Sequence, residues 1–546
     1  MTKLIRTLLV SGAAVLVCVS VAGASGNANF VGTWTVNTGV SFTIKTQSPS
    51  GACTGVSAAG GFVIVNCKVT GSHYVFEVDQ VGTGYKSFNS GTIKGNMLTG
   101  TFKDTAGHVV PYTATRAPTT KLGIDWSMPE RLTNTTPATQ HWDVSGGMPR
   151  VSEISPKDWK VDLFLTSGGA AACPSGVTFS WKVTGAGASQ TLPGTGCQVT
   201  ATVPELGTYS VEADEMQNGA PTGNKATNSK VEVQDFLIVG LGDSNGSGEG
   251  NPPFYYDRCN RSVASYQFQA ALYVEQQDPH SSVTFVHASC SGARIDHLYT
   301  TPYAGTRPAS PDLHPQIDQV SSLLARTTPA RKVDAVIMSI GVNDLGFGPL
   351  LKFCVLNATS STPCQKLSAS VTLDSVKRVI DFTYDKGGSA LTLGAQLTKL
   401  QTALRPRYAP LATALQQGLG LPAKHVFITQ YPDFTNGDDG NPCGPDGIAR
   451  FDQTTWAWLS ANAAILNRSV AAAAAAHGWT LARVNSPAFA TRGYCSTKSL
   501  FVGIYAANKN NDEAGPFHPN AEAHLIQAAE VEPELCKSLG LSATCQ

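Results

Sequence analysis

Three short segments carry residue types suited to nucleophilic chemistry. Gly242-Asp243-Ser244 follows the apolar run Phe236 to Leu241. Gly341-Val342-Asn343-Asp344 follows a second apolar run, Val333 to Ile340, and His518-Pro519-Asn520 comes later in the chain. A serine hydroxyl is a weak nucleophile until a base takes its proton. The tetrahedral intermediate then needs donors aimed at its oxyanion, and losing one costs about 3–4 kcal/mol. Ser244 is the candidate nucleophile, and its own N–H, at a strand-to-helix turn, is one candidate donor. Gly292, in Ser289-Cys290-Ser291-Gly292-Ala293, lets a second N–H approach closely. The Asn343 side-chain amide is a third donor, and His518 is the candidate base, with Pro519 fixing its turn. Together these residues describe acyl transfer through a serine ester.

Each segment also has a plainer reading. Ser244 would suit an ordinary glycine-rich turn, Asn343 a helix cap, and His518 a surface turn. A phosphate-cradling loop fits poorly, because residues 242–250 lack a following Gly-Lys-Ser/Thr and a full Gly-x-Gly-x-x-Gly. What favours the joint reading is order, with each segment placed at a strand end, where open α/β sheets bind ligands. His280, His287, His297, His314, His425, His477 and His524 lack such a context and are expected to be solvated or packed. Asp438, Asp439 and Asp446 sit in a glycine-rich loop that does not match the spacing of a calcium-binding EF-hand, so no metal is expected.

The elements that must position these residues alternate after residue 234. Strand-like runs are Val283 to Val286, Val333 to Ile340, His425 to Thr429 and Thr480 to Val484. Helical patterns separate them at Val263 to Gln276, Pro315 to Arg326, Leu391 to Gly418 and Thr454 to His477, with a last helix starting after Pro519. Near-continuous apolar strands between helices imply a parallel sheet covered on both faces. In the stretch from Cys364 to His425, the leucines Leu391, Leu393, Leu397, Leu400 and Leu404 recur near helical spacing. That segment reads as a packing helix or as a wall or lid over an acyl group.

The region before residue 234 is β-like. Short alternating segments punctuated by Gly, Ser and Asn fill residues 27–116 and fit a small barrel or sandwich. Residues 117–233 read as a second module, an immunoglobulin-like sandwich, with Trp181 on a strand bracketed by Cys173 and Cys197. The organisation expected is a multidomain chain: a leader over 1–24, β modules over 27–116 and 117–233, and an α/β domain over 236–546.

Bulk properties narrow the function classes. The net charge is zero and only 14% of residues are charged, so no basic stripe marks a nucleic-acid partner. Lys3 and Arg6 precede an apolar stretch from Leu8 to Ala22, and Ala22-Gly23-Ala24 offers a small-x-small cleavage site. The stretch is shorter than the ~20 residues a membrane span needs, so a cleaved signal peptide and no stable membrane insertion are expected. Of 13 cysteines, Cys18 lies in this leader, and the rest are even in number with no Cys-x-x-Cys spacing. That pattern fits disulfides in a secreted or periplasmic protein. Pairing sequence neighbours gives six local bridges, Cys53–Cys67, Cys173–Cys197, Cys259–Cys290, Cys354–Cys364, Cys443–Cys495 and Cys536–Cys545, although sequence alone leaves the connectivity open.

Residues 236 to 535 resemble the SGNH (GDSL-type) hydrolase family, and within it the secreted actinobacterial-type lipases and esterases. The likeness rests on Gly242-Asp243-Ser244, Cys259-Asn260-Arg261-Ser262, Cys290-Ser291-Gly292-Ala293, Ile340-Gly341-Val342-Asn343-Asp344, Phe347 and His518-Pro519. The resemblance implies a flavodoxin-like α/β hydrolase fold, with Ser244, Gly292, Asn343 and His518 as the four lettered residues and no cofactor. It also implies the bridges Cys259–Cys290, Cys354–Cys364 and Cys443–Cys495. The family usually has aspartate three residues before the histidine, where this chain has Gly515. Asp512, Glu513 or a main-chain carbonyl such as that of Gly515 is left to orient the imidazole, the work of a triad's third member.

The expected protein is therefore a monomeric, secreted carboxylic ester hydrolase. Its substrates would be lipid or small acyl esters, or acetylated polysaccharide, the last making it a carbohydrate acetyl esterase. The other class of reading is a binding or adhesion protein on a retained hydrolase scaffold, motivated by the displaced acid and the β modules.

Overall fold

The structure is a computed structural model that describes the chain from Ala28 to Cys545, apart from 38–40, 58–61, 81–85, 116–121, 135–141, 144–147, 150–153, 374–379, 445–450, 542–544 and scattered single residues or pairs. The expected signal peptide and Asp446 lie outside the described residues. The N-terminal region is all-β and the C-terminal region α/β, as the sequence patterns imply.

Eight antiparallel strands from Gly32–Val36 to Val109–Thr115 close into a barrel. Inward alternation fills it with Trp34, Tyr74, Phe76 and Phe102, and the Tyr74 hydroxyl donates to that of Tyr112 at 2.7 Å. The next strands form two facing sheets. One contains Leu122–Ser127, Trp159–Ser167 and Gln198–Val203; the other contains Ala188–Thr195, Thr178–Gly185 and Gly207–Gln217. Trp159, Phe179, Trp181 and Tyr209 pack between them.

The second of these sheets does not stop at the α/β region. A single 23-residue strand, Ala220–Gly242, pairs antiparallel with Gly207–Gln217 along its first half. Its second half pairs parallel with Ser281–His287 and Ala335–Ser339. The change of texture near residue 234 is thus a change of burial within one strand: alternating exposure gives way to unbroken burial once both faces are covered. Val426–Thr429 and Thr480–Ala482 extend the parallel part. Numbered along the chain, the parallel strands run 2-1-3-4-5, a doubly wound order whose switch point lies between the first and third.

Helices cover both faces of this sheet. Ser265 caps Tyr266–Gln277, Asp452 caps Gln453–His477 and Asn520 caps Ala521–Ser538, each accepting a backbone N–H. The helix expected over Leu391 to Gly418 is instead two, Leu393–Leu404 and Tyr408–Leu419, separated by a tight turn at Arg405–Arg407. Pro406 in that turn lacks the N–H a continuous helix would use. The segment before them also holds a hairpin, Ala369–Leu373 with Ile380–Tyr384, that helical leucine spacing did not reveal.

Six disulfides close Cys53–Cys67, Cys173–Cys197, Cys259–Cys290, Cys354–Cys364, Cys443–Cys495 and Cys536–Cys545. No cysteine among the described residues is free. No helix among them is long and apolar enough to cross a membrane.

Candidate active site

Ser244 begins a one-turn helix, Ser244–Ser247, directly beyond the first parallel strand. Gly242 reaches this turn with φ +127°, and a Cβ there would lie 2.0 Å from the Ser339 carbonyl oxygen, so no side chain fits. Asp243 caps the helix. Its buried carboxylate accepts from the Asn245 N–H at 3.1 Å, the Ser339 hydroxyl at 3.0 Å and the Tyr431 hydroxyl. Burial pushes its acid up to about 7. Gln316 clasps Gly242 by both backbone groups, at 2.7 and 2.8 Å. His287 holds the same turn from below, donating from Nε2 to the Gly246 carbonyl at 2.8 Å while Nδ1 accepts from Tyr255. Burial lowers His287 to about 3, which keeps it neutral and packed.

Gly292 follows the second parallel strand and has φ +81°. Asn343 follows the third, and its Nδ2 donates to the Ala293 carbonyl at 3.0 Å, which ties the Asn343 loop to the Gly292 loop. The neighbouring Asp344 accepts from the Ile295 N–H at 3.0 Å and pairs with Arg407. Arg407 also meets Asp296 at 3.0 Å, and Asp296 meets Arg294 at 2.7 Å. Arg294 is thereby held in an ion pair.

His518 sits on the turn before Ala521–Ser538. Its backbone N–H donates to the Gly515 carbonyl at 3.1 Å. Burial lowers its basicity, while Asp512 and the carbonyls of Gly515, Pro516 and Ala514 oppose that shift. No hydrogen bond of ordinary geometry reaches its buried Nδ1.

Ser244, Gly292, Asn343, Asp512, Glu513 and His518 all line one open cavity of about 710 Å³. A second, narrower cavity of about 90 Å³ shares Ser244 and His518 and is otherwise largely apolar, with Leu345, Leu350, Leu397, Phe434 and Leu466 in its wall. Four segments remote in sequence therefore meet at the switch point of the sheet. Among the described residues no cluster suits a metal ion.

Sequence reasoning missed Glu249, which is fully buried and accepts from Asn260 Nδ2 at 2.9 and 3.0 Å. It also missed Gln316 and Tyr431, which brace the serine turn. Glu249 alone gave a signal, as an acid inside an otherwise small-residue segment, Gly246-Ser247-Gly248-Glu249-Gly250.

The fold is of the doubly wound α/β class, with these residues gathered beyond the carboxyl ends of its strands. A model of the GDSL-like lipase/acylhydrolase family matches residues 241–526, and the chain belongs to that family of ester hydrolases. Among solved structures, an extracellular lipase from Streptomyces rimosus is similar at 22% identity and a TM-score of 0.37, over 56% of this chain and 99% of that one. A phospholipase A1 from Streptomyces albidoflavus is 20% identical with a TM-score of 0.34, over 56% and 99%. An acetylxylan esterase from Geobacillus stearothermophilus is 13% identical with a TM-score of 0.26, over 55% and 94%. No curated protein matches the chain.

Proposed function

We propose that the protein is a secreted carboxylic ester hydrolase with Ser244 as nucleophile and His518 as base. Ser244 Oγ attacks the ester carbonyl as His518 takes its proton. The oxyanion is held by the N–H groups of Ser244 and Gly292 and by the Asn343 amide, whose second N–H is left over from its bond to Ala293. His518 then protonates the leaving alcohol, and water activated by the same ring releases the acid from the acyl-enzyme. Burial, which lowers His518, keeps it in the basic form this cycle needs at neutral pH. Asp512 and the carbonyls of Gly515, Pro516 and Ala514, which oppose the lowering of the ring by burial, do the orienting work of a triad acid in this reading.

The observation that carries the proposal is the meeting of Ser244, Gly292, Asn343 and His518 on one cavity. The apolar cavity beside it suits the acyl chain, with space for roughly six or more water-sized atoms. The open cavity, lined also by Asn260, Arg307 and Lys352, suits the alcohol. Six disulfides fit an oxidising compartment and hence export.

The test is hydrolysis of p-nitrophenyl acetate, butyrate and octanoate beside acetylated xylan. Octanoate is expected to exceed acetate in kcat/KM, and Ser244→Ala is expected to lose at least 10³-fold on every ester. Full activity in that variant would overturn the assignment. A strong preference for acetate and xylan would redirect it to polysaccharide deacetylation.

A further inference from the structure

The peptide between Ser291 and Gly292 carries a candidate oxyanion N–H on one side and a carbonyl on the other. A trans peptide is planar, so these two groups point in opposite directions and turn together. The Tyr303 hydroxyl donates to that carbonyl at 2.7 Å. Ser291 is 3% exposed and Tyr303 5%, so bulk water does not compete for the bond. Among the described residues no hydrogen bond takes the Gly292 N–H, which leaves it for a ligand. Gly292 and Tyr303 both line the cavity that holds Ser244 and His518.

The surroundings fix the hydroxyl in place. The Tyr303 main chain exchanges two hydrogen bonds with Leu313, each at 2.9 Å. His297 stacks on the ring, with centroids 4.5 Å apart and planes at 14°, and its Nδ1 accepts from the Arg294 N–H at 3.1 Å. Burial pushes the phenol well above its ordinary range, so it stays a donor at neutral pH. The loop before Gly292 is tied down as well. The Cys290 N–H donates to the Gly242 carbonyl at 2.9 Å and the Ser291 N–H to the Cys259 carbonyl at 3.1 Å, beside the Cys259–Cys290 bridge. Rotation at Gly292 remains soft, because a residue without a side chain reaches φ +81° and its neighbours freely. A Cβ there would lie 2.3 Å from the Tyr303 oxygen, so the hydroxyl occupies the space that the missing side chain leaves.

Resting on the serine hydrolase reading, we propose that Tyr303 is a positioning residue whose hydroxyl holds the Ser291–Gly292 peptide so that the Gly292 N–H points at the oxyanion. Without that bond the glycine peptide turns among several directions, and a hydrogen bond weakens steeply once its angle falls below about 120°. A donor on the carbonyl also polarises the peptide, which strengthens the N–H on its far side. Both effects grow as negative charge develops on the substrate oxygen. They therefore lower the barrier to acyl transfer and leave ground-state binding nearly as it was.

The experiment compares wild type with Tyr303→Phe, in the full chain, on p-nitrophenyl butyrate and with two matched inhibitors. One is an alkyl trifluoromethyl ketone. Ser244 Oγ bonds to its carbonyl carbon, the carbonyl π pair moves to the oxygen and the serine proton passes to His518, so the adduct carries an oxyanion. The other is the parent methyl ketone, which adds poorly and stays neutral. Tyr303→Phe is expected to lower kcat about tenfold, short of the 10²- to 10³-fold that loss of a whole donor costs, with KM within about threefold. Its affinity for the trifluoromethyl ketone should fall by about the same factor, while that for the methyl ketone stays within about threefold. Replacing Tyr303 with 4-fluorophenylalanine fills the hydroxyl's space without a donor. That variant should show the same losses, and it serves if Tyr303→Phe does not fold. Wild-type kcat and trifluoromethyl ketone affinity in these variants would overturn the proposal. Equal weakening of both ketones would overturn it too, because that marks a general distortion of the pocket. Undiminished hydrolysis in Ser244→Ala would instead overturn the underlying hydrolase reading, so the failures are distinct.

Discussion

A methyl group at Gly292 would meet the Tyr303 hydroxyl at 2.3 Å, and that hydroxyl donates to the Ser291 carbonyl at 2.7 Å. The position also has φ +81°, which strains any other L residue. Gly292→Ala is therefore expected to rotate its peptide N–H away from the oxyanion while leaving the fold intact. The cost should be about 3 kcal/mol, or a 10²- to 10³-fold loss of kcat on p-nitrophenyl butyrate, with an unchanged circular dichroism spectrum. Adding Tyr303→Phe removes the clashing oxygen and should restore part of the loss. At this scale the sequence was most legible where residue type and neighbours go together: Ser244, Gly292 and Asn343 each sit in a short motif beyond a parallel strand, whereas His518 sits in a turn before the last helix and not at the strand end expected. Glu249 gave only its place as an acid among small residues, because its contacts with Asn260 form only once the loop folds back. The acid expected near the histidine offered several candidates, because the turn Asp512 to His518 wraps back on itself and sequence offset does not report that path.

The strand Ala220–Gly242 is held at its midpoint by Asp235. This buried carboxylate accepts from the Ser282 hydroxyl at 2.6 Å, the Thr284 hydroxyl at 2.6 Å and Arg331 at 2.8 Å. Arg331 in turn donates to the Ile154 carbonyl at 2.6 Å and lies over the Trp159 ring, so one acid links the sandwich to the parallel sheet. Asp235→Ala leaves the Arg331 guanidinium buried without its counter-charge. We expect a loss of roughly 3–5 kcal/mol, read as a lower urea midpoint. Elements with unbroken apolar runs were legible, because a strand covered on both faces has no other way to be written. The junction was less so: alternation ending near residue 233 looks like the end of a module, yet the backbone continues and only its cover changes. Likewise the leucine spacing from Leu391 predicted helix correctly, but Pro406 decided that there would be two.

Across the whole molecule, the sandwich and the α/β region share further polar contacts. The Met128 N–H donates to the Pro279 carbonyl at 2.8 Å and the Leu132 N–H to Glu275 at 3.1 Å. His280 meets Asp125 at 2.9 Å and Asp278 at 3.5 Å, with Trp126 beside its ring at 4.3 Å. These acids outweigh burial and raise His280 to about 9. A histidine with a raised folded pKa stabilises fully below its ordinary value near 6.5, and that contribution is lost as pH rises through about 9. The melting temperature should therefore fall between pH 7 and pH 10, and His280→Gln, which does not titrate, should show a smaller fall.

The ribbon that begins among the antiparallel strands ends at the turn bearing Ser244. Tension applied to the sandwich end of that ribbon would run along it and act on the hydroxyl's own mounting. Rows of lateral hydrogen bonds on both sides would meet such a pull in shear, so the turn bearing Ser244 is also the anchored end of a mechanical strut.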